Sequence, residues 1–256
     1  AELLGARAVE HTGLRFPLLI KLLDCAEWLS LQVHPNDQQA ASLEGPGFFG
    51  KTEAWYVLDA DPGAQLIAGI QPGTSPEALE SAIRDGTITD YAQYINVHPG
   101  DSIFMRPGTI HALGPGLLIY EVQQTSDLTY RVYDWGRPQT EKRHLHIDKS
   151  LAVADPHAVT QANPLPPLED GRAKELLRCP YFTLDLLPAQ ENALALDTGG
   201  KTFHAITVIE GQAEISSCGA QFTLSKFETA VVPAACGAYQ VRRIGKLRAL
   251  KASIEG

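Results

Sequence analysis

The sequence predicts a mainly β protein built as two β-barrels, with a short helical insertion in the first. Three observations point there. Short runs alternating apolar and polar residues recur along the chain, separated by glycine- and proline-containing turns. Glycine (22) and proline (17) are plentiful among the 256 residues, as tight turns between many strands require. A proline-rich polar stretch, Asp155–Gly171, reads as a linker between two such β blocks. The expected division is 1–160 and 161–256.

Composition narrows the function. The net charge is −9 and no basic run is present, which argues against nucleic acid and anionic membranes as partners. No apolar run reaches the ~18 residues of a membrane span, and no signal peptide opens the chain, so a cytoplasmic setting is expected. Cys25, Cys179, Cys218 and Cys236 form no CxxC pair and are expected to be reduced thiols.

Taken in order, Ala1–Arg15 is weakly helical and ends at Gly13. Phe16–Leu23 (FPLLIKLL) is dense enough for a buried strand, and a turn follows at Asp24–Glu27. In Trp28–Pro35, WLSLQVHP, Leu29, Leu31 and Val33 share one strand face and Ser30, Gln32 and His34 the other. Asn36–Leu43 is a short helix or turn, and GPGFFG a glycine-rich loop. Lys51–Asp59 is a strand that the turn at Asp61–Ala64 is expected to return into Gln65–Ile70 as a hairpin. Thr74-Ser-Pro-Glu carries a capping hydroxyl, a proline and first-turn acids, a strong helix start, with Leu79 and Ile83 behind it. A second short helix is expected near Asp90–Ile95. Strands follow at Ser102–Arg106, Thr109–Leu113, Leu117–Gln124 and Thr129–Asp134. The second block runs from Tyr181 to the end, with turns expected at Gly211 and Pro233.

Four side chains of the first block have metal-ligand chemistry: Gln32, His34, Glu53 and His111. Gln32 and His34 share a strand face, as do Lys51 and Glu53, and Thr109 and His111. Alternate residues of barrel strands face inward, so such pairs can converge. Two imidazoles and a carboxylate suit Zn²⁺, Mn²⁺, Ni²⁺ or Fe²⁺. Each residue also has a plain reading: a hydrogen-bonded core histidine, a solvated Lys51, a paired Glu121, an Arg131 paired with Asp127 or Asp134. The second block has no close-set His/Glu/Gln group.

The ordered runs IKLLDCAEWLSLQVHPND, GKTEAWYVLDA, PGDSIFMRPGTIHAL and EVQQTSDLTYRVYDWGR resemble the type I phosphomannose isomerases, especially their short bacterial branch. The resemblance spans about Phe16 to Arg137 and continues more weakly in ELLRCPYFTLDLL. It implies a bicupin metalloenzyme that interconverts mannose 6-phosphate and fructose 6-phosphate through an enediol. One Zn²⁺ or other divalent ion per chain would be held by Gln32, His34, Glu53 and His111. The resemblance marks Lys51, Glu121 and Arg131 as catalytic and Ser30 as pocket-lining, with Lys51 and Glu121 both open as the base. It also implies a metal-free second barrel. The family's opening Trp-Gly-Gly turn and Gly-Glu-x-Trp-Glu strand are not found, so an incomplete first barrel is expected. A sugar-phosphate-binding cupin without turnover is the alternative; a cupin dioxygenase is disfavoured by the glutamine ligand and neighbouring lysine.

Overall fold

In the computed structural model, which describes residues 2–141, 143–217 and 219–254, the chain is mainly β. Along it run α1 (Ala6–Thr12), β1 (Leu18–Cys25), β2 (Leu31–Val33), α2 (Asp37–Glu44), β3 (Glu53–Ala60), β4 (Gln65–Ile70), α3 (Pro76–Asp85), β5 (Ala92–Asn96), β6 (Ser102–Met105), β7 (His111–Leu113), β8 (Leu117–Gln124), β9 (Tyr130–Tyr133), α4 (Ile147–Val153) and β10 (Ala162–Asn163). They are followed by β11 (Lys174–Arg178), β12 (Thr183–Ala189), β13 (Leu194–Asp197), β14 (His204–Ser217), β15 (Ala220–Leu224), β16 (Thr229–Val232) and β17 (Ala238–Ser253). Two compact units result. One is Leu18–Leu165; the other joins Ala1–Pro17 to Pro166–Gly256.

The unit Leu18–Leu165 holds two five-stranded sheets, ordered β1-β8-β3-β6-β10 and β5-β4-β7-β2-β9. Trp55, Val57, Ile103 and Ile119 of the first share one buried core with Leu66, Ala68 and Leu113 of the second, so the sheets face each other. Among the described residues no strand pairing joins the edges of one sheet to the other. The opposite face of the second sheet buries Leu31, Val33, Ile67, Ile110, Ala112, Tyr130 and Val132 against Leu79 and Ile83 of α3 and Val153 of α4. Both α2 and α3 start as their sequences direct: Asn36 and Gln39 form a reciprocal capping box, and the Ser75 hydroxyl accepts from Ala78 N–H.

The unit Ala1–Pro17/Pro166–Gly256 is a seven-stranded sheet ordered β11-β12-β17-β14-β15, with β13 on β17 and β16 on β14. Its core includes Leu187, Ile206, Val208, Ile215, Val241 and Ala249. Cys25, Cys179 and Cys236 are free thiols, and Cys218 lies outside the described residues. Among the described residues no helix is long and apolar enough to cross a membrane.

Several expectations are corrected. β3 and β4 do not form a hairpin: β3 pairs with β6 and β8, whereas β4 pairs with β5 and β7. The Asp61 turn instead carries the chain from one sheet to the other. β1 is half-exposed, with Leu22 at 38%, because it is an edge strand. Leu29 is exposed, since β2 begins only at Leu31. Residues 92–96 are strand β5, after a single 3₁₀ turn at Ile88–Tyr91. Part of the expected linker is structured, with β10 pairing β6 and Ala158 buried. Gly211 is no turn. It sits at a register shift inside β14 with φ +73°, where an added Cβ would meet Lys246 carbonyl oxygen at 1.7 Å.

Candidate metal centre and active site

The two facing sheets place the functional side chains by alternation. On the second sheet, residues 31, 33, 110, 112, 130 and 132 face the helices. Gln32, His111 and Arg131 therefore face the other sheet. They form one cross-strand row, Gln32 lying opposite His111 on β7 and opposite Arg131 on β9. His34 follows β2 on the same face as Gln32. On the first sheet Glu53 is opposite Gln123, and Glu121 is flanked by Lys21 and Trp55.

His34, Glu53 and His111 converge, their ligand atoms all within 4.8 Å of one another. His111 Nε2 lies 3.1 Å from Glu53 Oε1, and His34 Nε2 lies 3.5 Å from Glu53 Oε2. All three are essentially excluded from solvent. Both Glu53 oxygens and His111 Nε2 are buried without a properly angled hydrogen bond, despite these short distances. Leaving buried polar atoms unpaired costs about 1–3 kcal/mol each. A donor set aimed at a shared point is what a divalent ion needs, and two imidazoles with a carboxylate match the common divalent metals. His111 Nδ1 is 2.8 Å from Thr109 carbonyl oxygen, so Nδ1 carries the proton and Nε2 offers its lone pair.

Lys51 Nζ sits 3.0 Å from both His34 Nε2 and Glu53 Oε2. Burial first, and then the adjacent Lys51 charge, hold the His34 imidazole well below its ordinary pKa, so it is neutral. Burial alone would raise the Glu53 pKa. Lys51, His34 and His111 together outweigh it and keep the carboxyl well below the usual range.

Glu121 is buried, with Oε1 accepting from Lys21 Nζ at 2.6 Å and Oε2 from Trp55 Nε1 at 3.2 Å. The Trp55 ring meets the His111 ring edge-on at 5.4 Å, linking Glu121 to the cluster by one side chain. Arg131 Nη1 donates to His144 carbonyl oxygen at 3.1 Å, and its Nε is buried without a partner among the described residues. Asp134 is engaged by Arg137 and Arg143, so the Arg131–Asp134 pair considered from sequence does not form. Ser30 is buried just before β2. Lys21, Trp55 and Gln123 are not among the residues that the sequence points to, whereas Thr109 is placed from sequence on the strand face of His111. A lysine inside the apolar run Phe16–Leu23 was the one available signal for Lys21.

A buried His–Glu–His cluster between packed β-sheets defines this chain as a candidate metal-binding β-sheet protein. Residues 1–85 match the family "Phosphomannose isomerase type I, catalytic domain". The chain is 35% identical over 233 residues to mannose-6-phosphate isomerase ManA of Bacillus subtilis, covering 90% of this chain and 73% of that protein. It is 38% identical over 221 residues to mannose-6-phosphate isomerase of Streptococcus mutans, covering 85% and 68%. A crystal structure of the Bacillus subtilis mannose 6-phosphate isomerase superposes with a TM-score of 0.79 at 30% identity, covering 93% of this chain and 75% of that one. The chain belongs to the type I phosphomannose isomerase family.

Proposed function

We propose that this protein is a metal-dependent mannose-6-phosphate isomerase, converting mannose 6-phosphate to fructose 6-phosphate and back. The carrying observation is the buried His34–Glu53–His111 cluster, whose Glu53 oxygens and His111 Nε2 lack a properly angled hydrogen bond, in a chain whose relatives are named for this reaction. The ion would be held by His34, Glu53 and His111, with Gln32 as fourth donor. Zn²⁺ is best suited because no oxidation state changes. When bound, it supplies Lewis-acid polarisation of the sugar carbonyl.

In the aldose-to-ketose direction a proton leaves C2 and arrives at C1, while the hydroxyl hydrogen of O2 is exchanged for one on O1. We assign the carbon-to-carbon proton transfer to Lys51, whose Nζ lies within 3.0 Å of two of the ligand atoms. Both oxygens of Glu121 are engaged by Lys21 and Trp55, which suits it to orient rather than to abstract. Arg131 shares the Gln32–His111 row and presents a permanently charged fork to the enediolate oxygens. Ser30 lines the same pocket. The facing sheets are read as the catalytic cupin, and the C-terminal sheet as a second, metal-free one. A phosphorylated sugar substrate fits a cytoplasmic setting.

A coupled assay on mannose 6-phosphate with chelator-treated protein, with and without added Zn²⁺, tests the reading. Turnover should vanish on chelation and return with metal. Sugar-phosphate binding without turnover or solvent hydrogen exchange would instead make the protein a non-catalytic binder.

A further inference from the structure

The run EVQQ ends β8 with two glutamines whose side chains go opposite ways. Gln123 faces the pocket and accepts from Lys21 Nζ. Its Nε2 donates to Gln124 carbonyl oxygen at 2.8 Å. That carbonyl is thus engaged by a side chain at the strand end. Gln124 supplies a second acceptor from its own side chain: Oε1 accepts from Thr52 N–H at 2.8 Å, while Gln124 N–H donates to Thr52 carbonyl oxygen at 3.0 Å. Gln124 therefore grips both backbone groups of the residue between Lys51 and Glu53.

The far end of the same amide reaches α2. Gln124 Nε2 donates to Asp37 Oδ1 at 3.2 Å, and that oxygen also accepts from Gly50 N–H at 2.7 Å. Lys51 N–H donates to Pro35 carbonyl oxygen at 3.0 Å. Gly50 lies so close to the start of α2 that an added Cβ would meet Asn36 C at 2.5 Å. The glycine-rich loop 45–50 is closed at its end by these contacts. They span from one residue after His34, at Pro35, to one residue before Glu53, at Thr52. Gln124 is buried, so no water competes freely for its amide.

We propose that Gln124 and Asp37 form a positioning clamp that sets Glu53 and Lys51 against His34, and that divalent-metal affinity depends on it. The proposal rests on the reading of Glu53 and His34 as ligands. Neither clamp residue belongs to the proposed ligand set or to the assigned catalytic residues. Groups that orient metal ligands from outside typically contribute about 10–100-fold in affinity.

The test is Co²⁺ titration of the chelator-treated full chain, read by the visible absorption of bound Co²⁺. Isomerase kcat and KM are measured alongside, and circular dichroism reports folding. Gln124→Leu should weaken Co²⁺ binding about 10-fold or more and lower kcat while leaving KM near its starting value. Gln124→Glu keeps the acceptor for Thr52 but sets two carboxylates against each other, so it should weaken binding similarly. Asp37→Asn retains the Oδ1 acceptor and should bind almost normally. Unchanged Co²⁺ affinity in both Gln124 variants, whatever happens to Tm, overturns the clamp. His111→Ala separates the two readings: if it still binds Co²⁺ fully, the ligand assignment fails rather than the clamp.

Discussion

The two units bury polar side chains in opposite ways. In the sheet of Pro166–Gly256 they are matched. His204 Nδ1 lies 2.6 Å from Tyr239 hydroxyl, Lys251 Nζ 2.9 Å from Asp185 Oδ2, and Thr198 hydroxyl donates to Ala234 carbonyl oxygen at 2.6 Å. Among the described residues the one buried side-chain atom left over there is Thr183 Oγ1. In Leu18–Leu165, Glu53 Oε1 and Oε2, His111 Nε2 and Arg131 Nε are buried without a properly angled hydrogen bond, although Glu53 has Lys51 and His111 within 3.1 Å. A cluster of such atoms on ionisable side chains calls for an explanation, and a bound ion is one that fits this donor set. The contrast separates a polar interior that stabilises itself from one whose His–Glu–His cluster could hold a metal ion.

The contrast breaks most severely at the ligands. His111→Ala should abolish bound metal by elemental analysis and reduce turnover to background. Full occupancy in that variant would show that the ion is held elsewhere. His98, whose side chain is 80% exposed, provides the control, and His98→Ala should change neither quantity.

Arg131 comes next. Removing one preorganised donor to a developing oxyanion costs about 10²–10³ in kcat, or roughly 3–4 kcal/mol. Arg131→Ala should show that loss with metal content and KM little altered, and Arg131→Lys should also be badly impaired because it keeps charge without the fork. A rise in KM alone would reassign Arg131 to substrate anchoring.

What the sequence made legible was local. β8 spans the expected Leu117–Gln124, and α3 begins at the Ser-Pro-Glu signal. His34 and His111 follow from alternation, because each is flanked by residues that pack against the helices or continue such a strand. Which strands become neighbours was less legible. The Asp61–Ala64 turn reverses the chain in either a hairpin or a crossing between sheets, and its residues do not distinguish them. Lys21 pairs with Glu121 across 100 positions, and Gln124 with Asp37 across 87, contacts that no local pattern encodes. Gly211 carries the same signal for a turn as for a bulge, since both call for positive φ.

A third test is acid. His34 is held neutral in the fold, well below its ordinary 6.5, by burial and then by Lys51. The unfolded chain takes up that proton as pH falls below about 6.5, so it binds more protons than the native state. Stability of metal-free protein should therefore fall with acidification, by up to about 1.4 kcal/mol per pH unit from this residue. Glu53, depressed by Lys51 and the imidazoles against its burial, adds a loss that begins below the ordinary carboxylate range, at 4.5. Denaturant titrations of metal-free protein from pH 7 to pH 5 measure the first slope. A flat profile would mean that His34 is not buried as a neutral ring.

The smallest expected effect lies at the other histidine interior. His204→Gln removes an imidazole from a strand whose neighbours Phe203, Ala205 and Ile206 are buried. One of its contacts is the Tyr239 hydroxyl, which burial, Cys236 and Asp185 keep protonated far above the ordinary range. A glutamine amide can also hydrogen-bond a hydroxyl, so the loss should be small, about 0.5–1.5 kcal/mol for each hydrogen bond not remade, read as a modest drop in denaturation midpoint. Metal stoichiometry and kcat should stay at their starting values, because the pair already satisfies itself and offers no open donor set. A fall in bound metal in His204→Gln would show that the C-terminal sheet holds an ion, and the division between a self-satisfied interior and a ligand-dependent one would fail at its most specific point.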